Sequence, residues 1–507
     1  MYHAAMRLSR NSILLCLFIA MMAARPVRGE LVGQASYDVL DPRLPGIDRE
    51  LLWRLQVASG SYLSVDAGFE VAGNAGPLDR QTFEYLNKKT RYPLNYSSGD
   101  FRFWGGMKIK EDWLGISEGD SGISNLQTGI TFSGKAKIKN KIELYEDITL
   151  FRSDSTSYLD SASTTGEFLK NPLFSQQLPG RGSIASEANL LEVQVDRALI
   201  KGNLFGVDIQ TGRDRIQIKG GYRNGLLFSG LTRPVDMFYR LDYSVWRVHL
   251  TALSGQLTDA GRRYISAKRV EFEAAHYLRF GATEAAAFSY DPTAYINPLM
   301  PFYIIHRHRP NNDDNLIASF DFSLTPRRNL NIYGEILDDD IIIFKGGASK
   351  YGVLVGLYGS QLFSERIDLR MEYAQARKWT YTHVSHINAW DYRDQPFGFW
   401  LGPDADELYG RLSYLLKPGS YISANFDYVR KGEGSLDLPF EDEGGDKTPA
   451  FPSGLVEKSA GGWLDLRHEI QKLEIGARLG YRHIENRHHE PGKLGSYFAH
   501  CVLAYWL

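Results

Sequence analysis

Cysteine is almost missing from this chain of 507 residues, which holds only Cys16 and Cys501. Cys16 lies in an N-terminal apolar stretch expected to be removed, so no intramolecular disulfide can brace the rest. Also missing beyond that stretch is any run of about 18 apolar residues, which excludes membrane-spanning helices. An excess of one charge is missing too, with 58 Lys and Arg against 60 Asp and Glu. That balance argues against a nucleic-acid partner, which calls for a basic patch. The sequence shows no helical mid-section, no repeat of fixed period and no Pro-rich linker. A chain this long would ordinarily divide into several soluble domains, and these absences argue against such a division.

What is present begins with an export signal. Arg7 and Arg10 precede an uncharged apolar run from Ile13 to Ala23, and Val27-Arg28-Gly29 offers small residues for cleavage near Gly29. The run is too short for a spanning anchor, which needs roughly 20 residues. Cleavage there removes four arginines and no acid, leaving 54 basic against 60 acidic groups. Asp48 can cap a short helix over residues 49–58, and a second candidate covers 78–88; both are expected on the periplasmic side.

Aromatic residues are abundant, with 29 Tyr, 26 Phe and 9 Trp, although mean hydropathy is −0.30. Their setting is a strict alternation. Thr128, Ile130, Phe132, Ala136 and Ile138 face one way while Lys135, Lys137 and Lys139 face the other, and the pattern resumes at Ile142 after Asn140. Ile367, Leu369, Met371 and Tyr373 alternate with Asp368, Arg370 and Glu372. Similar rows cover residues 407–416, 422–428 and 473–479. The last row, Tyr497, Ala499, Cys501, Leu503, Tyr505 and Leu507, runs to the C-terminus.

Period-two patterning also suits a soluble β-sandwich. Its recurrence over some 400 residues, aromatic residues near strand ends and the apolar terminal strand favour a barrel. In lipid, an open sheet edge leaves each backbone group unsatisfied at a cost of several kcal/mol, so the sheet must close. The expected fold is therefore all-β: a closed antiparallel transmembrane barrel of about 18 strands. Expected boundaries are a signal peptide at 1–29, a periplasmic helical region with the first strands at 30–95, and the barrel at 96–507. The location that follows is the bacterial outer membrane. Residues 154–186, 292–315, 378–404 and 431–456 read as surface loops.

Several segments resemble a known family. Gly212-Arg213-Asp214-Arg215 followed by Arg223-Asn224-Gly225-Leu226-Leu227-Phe228-Ser229 is similar to a stretch of the Wzi-type capsule assembly family. Ala275-His276-Tyr277-Leu278, Gly281-Ala282-Thr283-Glu284, Asn297-Pro298-Leu299, Tyr333-Gly334-Glu335 with Asp338-Asp339, Tyr381-Thr382-His383 and Leu401–Asp406 follow in the family's order. Tyr277 stands where the family usually has Arg, and Gly220-Gly221-Tyr222 replaces a Trp-Gly-Pro-Gly cluster. The resemblance spans roughly residues 190–420. It implies an 18-stranded outer-membrane barrel with a small periplasmic helical region, holding capsular or exopolysaccharide at the cell surface without catalysis. Expected partners are that polysaccharide, outer-membrane lipid and the polysaccharide export machinery.

Catalytic motifs find little support. Gly115-Ile116-Ser117-Glu118-Gly119 has the spacing of a nucleophile elbow, but nothing supplies the strand-to-helix turn that an elbow needs. Gly119-Asp120-Ser121-Gly122 has only His3 before it as a possible partner. The pairs His306 and His308, His383 and His386, and His488 and His489 lack further ligands at a metal-binding spacing. Residues 338–340 and the set Asp404, Asp406 and Glu407 could hold Ca²⁺, or be solvated loop. No cofactor and no resident metal are expected.

Two further groups of residues stand out. The loop carrying Arg377, Trp379, Tyr381, His383, Trp390, Tyr392, Arg393 and Trp400 is a candidate polysaccharide site, because aromatic faces pack on pyranose rings and polar groups bond hydroxyls. An interfacial girdle competes for the same aromatics. Arg213, Arg215, Glu335, Asp368, Arg370, Glu372 and Arg411 are expected in the lumen, either as ion pairs that crowd it or as the wall of a polar channel. A passive diffusion channel is the alternative function.

Overall fold

The computed structural model describes residues 54, 57, 78, 81, 94–118, 121–139, 141–155, 191–218, 220–257, 262–308, 313–339, 349–392, 395–440 and 446–507. The expected signal peptide and Arg393 lie outside these. Of the expected N-terminal helices, Arg54, Val57, Leu78 and Gln81 are described, each in helical conformation.

Twenty-three strands follow. They are β1 (Leu94–Ser98), β2 (Phe101–Glu118), β3 (Ser121–Ile138), β4 (Ile142–Ser155), β5 (Leu191–Leu204), β6 (Val207–Asp214), β7 (Gln217–Ile218) and β8 (Phe228–Ser229). Next come β9 (Val235–Val245), β10 (Val248–Leu257), β11 (Arg263–Ala275), β12 (Leu278–Ser289), β13 (Asn315–Arg327), β14 (Leu330–Asp339), β15 (Tyr351–Gly359) and β16 (Ile367–Ala376). The last are β17 (Asp391–Tyr392), β18 (Gln395–Pro396), β19 (Ala405–Lys417), β20 (Ser420–Lys431), β21 (Glu457–Ile470), β22 (Leu473–Glu485) and β23 (Lys493–Trp506).

Eighteen of these close an antiparallel barrel in which each strand pairs with its neighbours in sequence and β23 returns to β2. The expected count is met. Trp506 pairs with Lys108, and the Leu507 N–H donates to the Met107 carbonyl at 2.9 Å. Below that point β2 would have a bare edge, and β1 covers it by pairing Leu94–Ser98 with residues 101–105. Closure therefore satisfies the backbone along the whole of β2, as a lipid surround demands.

Short turns, such as those at 139–141, 328–329, 418–419 and 471–472, occupy the end where Leu507 lies. The long connections, 215–234, 290–314, 377–404 and 432–456, occupy the other. Barrels of this kind keep short turns in the periplasm and long loops outside. The alternation behaves as its chemistry requires: Leu464, Leu479 and Leu503 stand exposed outward, while Asp465, Arg478 and Asp427 are turned into the lumen. Arg54 reaches Asp368 at 3.0 Å and the Val57 carbonyl accepts from Asn329 at 2.9 Å, so Arg54 and Val57 sit at the short-turn end.

The main core lies inside the barrel. Leu226, Leu227 and Phe228 pack there with Trp390, Phe397 and Phe399 against Leu253, Ala285, Leu337 and Leu354 of the wall. Trp390, Phe397 and Phe399 belong to the connection 378–404, which was expected to be a surface loop.

Candidate functional site

The segment between β6 and β9 turns into the lumen instead of outward. It carries no apolar period, only a Gly-rich start and the apolar run Leu226-Leu227-Phe228. Its backbone N–H groups are satisfied by carboxylates of the wall. Glu372 accepts from the N–H groups of Tyr222 (2.6 Å), Arg223 (3.2 Å) and Asn224 (2.8 Å), and from the Tyr333 hydroxyl (2.8 Å). Glu335 accepts from the N–H groups of Leu226 (2.9 Å) and Leu227 (3.1 Å). A Cβ on Gly221 would stand 2.2 Å from the Glu372 carboxylate, which explains the glycine at this close approach.

Side chains complete the anchorage. Arg223 lies between Glu407 (2.5 Å) and Asp427 (2.9 Å), with its guanidinium 4.7 Å from the Tyr409 ring centre. Arg482 also binds Asp427, at 2.7 Å, and the Asn224 amide donates to Glu407 at 3.0 Å. Tyr222 stacks near Tyr409, receives a hydrogen bond from Arg411 and lies 3.6 Å under the Arg370 guanidinium. Burying such charges costs several kcal/mol each, and only paired, hydrogen-bonded carboxylates offset it. Each charge-assisted bond returns about 1.5–3 kcal/mol.

A second inward segment, residues 377–404, rests on the first. The Trp390 indole donates to the Leu227 carbonyl at 2.9 Å, and the Tyr381 hydroxyl donates to the Leu226 carbonyl at 2.6 Å while accepting from the Phe399 N–H at 3.1 Å. Burial pushes the Tyr381 hydroxyl above its usual range, so it stays protonated and remains a donor. The Ser229 N–H donates to the Phe397 carbonyl at 2.8 Å, and Phe228 lies 5.2 Å from Trp390. A Cβ on Gly398 would stand 1.9 Å from the Leu226 carbonyl, so the two segments meet backbone to backbone.

These contacts revise the aromatic platform expected at 377–404. Trp379, Tyr381, Trp390 and Tyr392 are fully buried, and their faces pack on protein. The physical reason is area: Tyr381, Trp390 and Tyr392 bury their rings in the core built on the inward run 226–228 and Phe397, and Trp379 packs on Phe440 at 5.5 Å. Arg377, His383 and Trp400 keep partial exposure. Arg377 lies over Phe451 at 4.4 Å, His383 is 3.8 Å from Asp313, and the Trp400 indole donates to Glu407 at 3.1 Å.

Among the expected lumen residues, Glu335, Asp368, Arg370, Glu372 and Arg411 face inward and are buried. Arg215 lies at the root of the inward segment, donating to the Thr232 carbonyl at 2.7 Å. Arg213 differs. It pairs with Asp236 at 2.9 Å and continues the outward row of Val207, Ile209 and Thr211, in unbroken register with β5 and opposite exposed Ala198. Asp404, Asp406 and Glu407, read as Ca²⁺ ligands or solvated loop, are buried and each is taken by different donors. Asp404 accepts from the N–H groups of Gly434 and Ser453, Asp406 pairs with Arg430, and Glu407 with Arg223. Ser117 and Ser121 lie in the β2–β3 hairpin, with no helix following.

A family model described as capsule assembly protein Wzi matches residues 151–494, more than half of the chain. The chain belongs to the Wzi capsule assembly family. Among solved structures, Wzi of Escherichia coli, described as an outer-membrane protein involved in group 1 capsule assembly and a carbohydrate-binding β-barrel, superposes with a TM-score of 0.58. That match has 13% identity and covers 89% of this chain and 97% of the other. OccAB1 of Acinetobacter baumannii gives 0.47 at 9% identity, covering 80% and 97%, and OprD of Pseudomonas aeruginosa gives 0.44 at 8%, covering 80% and 95%. No curated protein matches the chain. Membership of the Wzi family and the closed barrel together make this an outer-membrane protein.

The wall carboxylates that seat the inward segment escaped the sequence reading as a set. A signal existed: three inward acids, Glu335, Glu372 and Glu407, sit in strands whose neighbours supply too few cations, and buried acids need donors from somewhere.

Proposed function

We propose that this protein binds capsular polysaccharide or exopolysaccharide on its outer loop surface and helps hold it at the cell surface, without catalysis. The observation that carries this reading is the filled lumen. A segment seated by Glu335, Glu372, Glu407 and Asp427 occupies the space that a diffusion channel needs open. Family membership and the description of the Escherichia coli relative support the same choice. On this reading Arg377, His383 and Trp400 are the contacts offered to sugar, joined by Arg393, while Trp379, Tyr381, Trp390 and Tyr392 are the scaffold beneath them. Residues 1–29 are the signal, 30–95 the periplasmic region with the first strand and 96–507 the barrel. Outer-membrane lipid and the export machinery are the other partners.

The test uses the purified protein and the host's own surface polysaccharide. Retention of that polymer on immobilised protein, with loss of surface glycan in a deletion strain, is expected; failure of both sinks the proposal. The alternative, a passive channel, requires steady conductance in planar bilayers, and the intact protein is expected to show none.

A further inference from the structure

The connection between β12 and β13 does not stand above the barrel. It folds down over the outer wall. In β11 to β13 the outward positions are marked by Val270, Phe280 and Phe320, the last 62% exposed. On the same face, Tyr264, Ser266, Ala286, Phe288 and Leu316 are buried. What covers them is the loop, through Tyr295 and the helix Phe302–His308.

A polar latch holds the loop there. Lys268 and Glu284 are cross-strand partners in the outward row directly above Val270, Ala282 and Phe320. Glu284 accepts from the N–H groups of Phe302 (2.8 Å) and Tyr303 (2.7 Å). Lys268 donates to the Met300 carbonyl and lies 3.9 Å from the Phe302 ring centre. Two opposite charges one pleat above lipid-facing Phe320 would be costly if bare, and the loop shields them.

The loop in turn presents its own surface to the surroundings. Leu299, 90% exposed, Met300 and Ile304 face out at the lower part, beside the latch. The helix ends in His306, Arg307 and His308, of which Arg307 and His308 are exposed. The apolar residues stand beside the latch, in the row next to lipid-facing Phe320, and the basic residues end the helix that precedes Asn315 at the outer end of β13. That order matches a membrane lipid with acyl chains below and headgroup above.

We propose that this outer-wall loop is a docking surface for an outer-leaflet lipid with a phosphorylated headgroup. Leu299, Met300 and Ile304 meet the acyl chains, and Arg307 with His306 and His308 donates to the phosphate oxygens. The exposed apolar patch at the start of the same short helix that ends in a basic cluster carries the choice, because a soluble anion would use only the basic groups. This goes beyond the polysaccharide reading and does not rest on it.

The test compares diphosphorylated lipid A with its dephosphorylated form, added to full-length protein in non-ionic detergent and counted as adducts by native mass spectrometry. At least five-fold stronger retention of the phosphorylated lipid is expected, falling to the dephosphorylated level in the triple variant His306→Ala, Arg307→Ala, His308→Ala. Heat-modifiable migration on gels confirms that the variant barrel is folded. Leu299→Ser with Ile304→Ser should weaken retention of both lipids. Equal retention of the two lipids, or an unaffected triple variant, overturns the proposal. Full competition by millimolar inorganic phosphate also overturns it, by identifying a free-anion site instead.

Discussion

Glu372 is the acceptor on which most of the inward segment converges, taking three backbone N–H groups and one phenol. Glu372→Ala would remove the shared acceptor of these four donors, at about 1–3 kcal/mol for each donor left unsatisfied. The barrel ladder does not depend on that side chain, so the expected result is a folded barrel with a displaced segment. Measurable ion conductance in planar bilayers, absent from the parent, is the readout. Glu372→Gln keeps one carbonyl acceptor and should conduct less than Glu372→Ala. A variant as silent as the parent would mean that the remaining anchors suffice. Arg223 makes a second case at this scale. Arg223→Ala leaves Asp427 with Arg482 but strips Glu407 of its ion pair, and removing one partner of a buried pair costs about 3–5 kcal/mol. Chemical denaturation should show that loss in a transition preceding global unfolding.

Elements differ in how far they were legible before the structure. Strands were plain wherever one face met lipid and the other the polar groups of the lumen, as in residues 367–373, because period two then reports both environments. The inward segment was not, because residues 216–229 have no period and their acceptors stand about 110 to 150 residues away in sequence. Arg213 was misplaced for a different reason: its charge suggests the lumen, whereas its parity with Val207 and Ile209 puts it in the outward row. Loop 290–314 read as surface loop, and nothing in Lys268 or Glu284 distinguishes a shielded outer-wall pair from a lumen pair. The terminal element, by contrast, can be tested as it was read. Deleting Leu94–Ser98 bares residues 101–105 of β2, yet leaves β2 paired with β23 from Lys108 to Glu118. The barrel should form in lower yield and melt at a lower temperature on heat-modifiability gels. Deleting residues 497–507 removes the closing pairs themselves and should abolish the folded band.

For the whole molecule, closing the lumen and shaping the outer surface are one structural task. The residues proposed to meet sugar belong to the segment 377–404, and that segment is seated on the lumen plug through Tyr381, Trp390 and the Ser229–Phe397 pairing. Loosening either should therefore disturb both. Tyr381→Phe removes a hydroxyl that joins the Leu226 carbonyl to the Phe399 N–H while preserving the ring. The lost hydrogen bonds amount to about 1–3 kcal/mol with a buried group left unsatisfied, enough to populate a loosened state appreciably. Trp390→Phe deletes the bond to the Leu227 carbonyl and should act in the same direction. Across Tyr381→Phe, Trp390→Phe and Glu335→Gln, conductance should rise as affinity for the host polysaccharide falls, in the same order. Conductance that rises while polysaccharide binding stays at the parental level would separate the two tasks and move the sugar contacts away from residues 377–404. Parallel change would tie surface recognition to the plug, and would explain why a barrel of eighteen strands fills its lumen with its own chain.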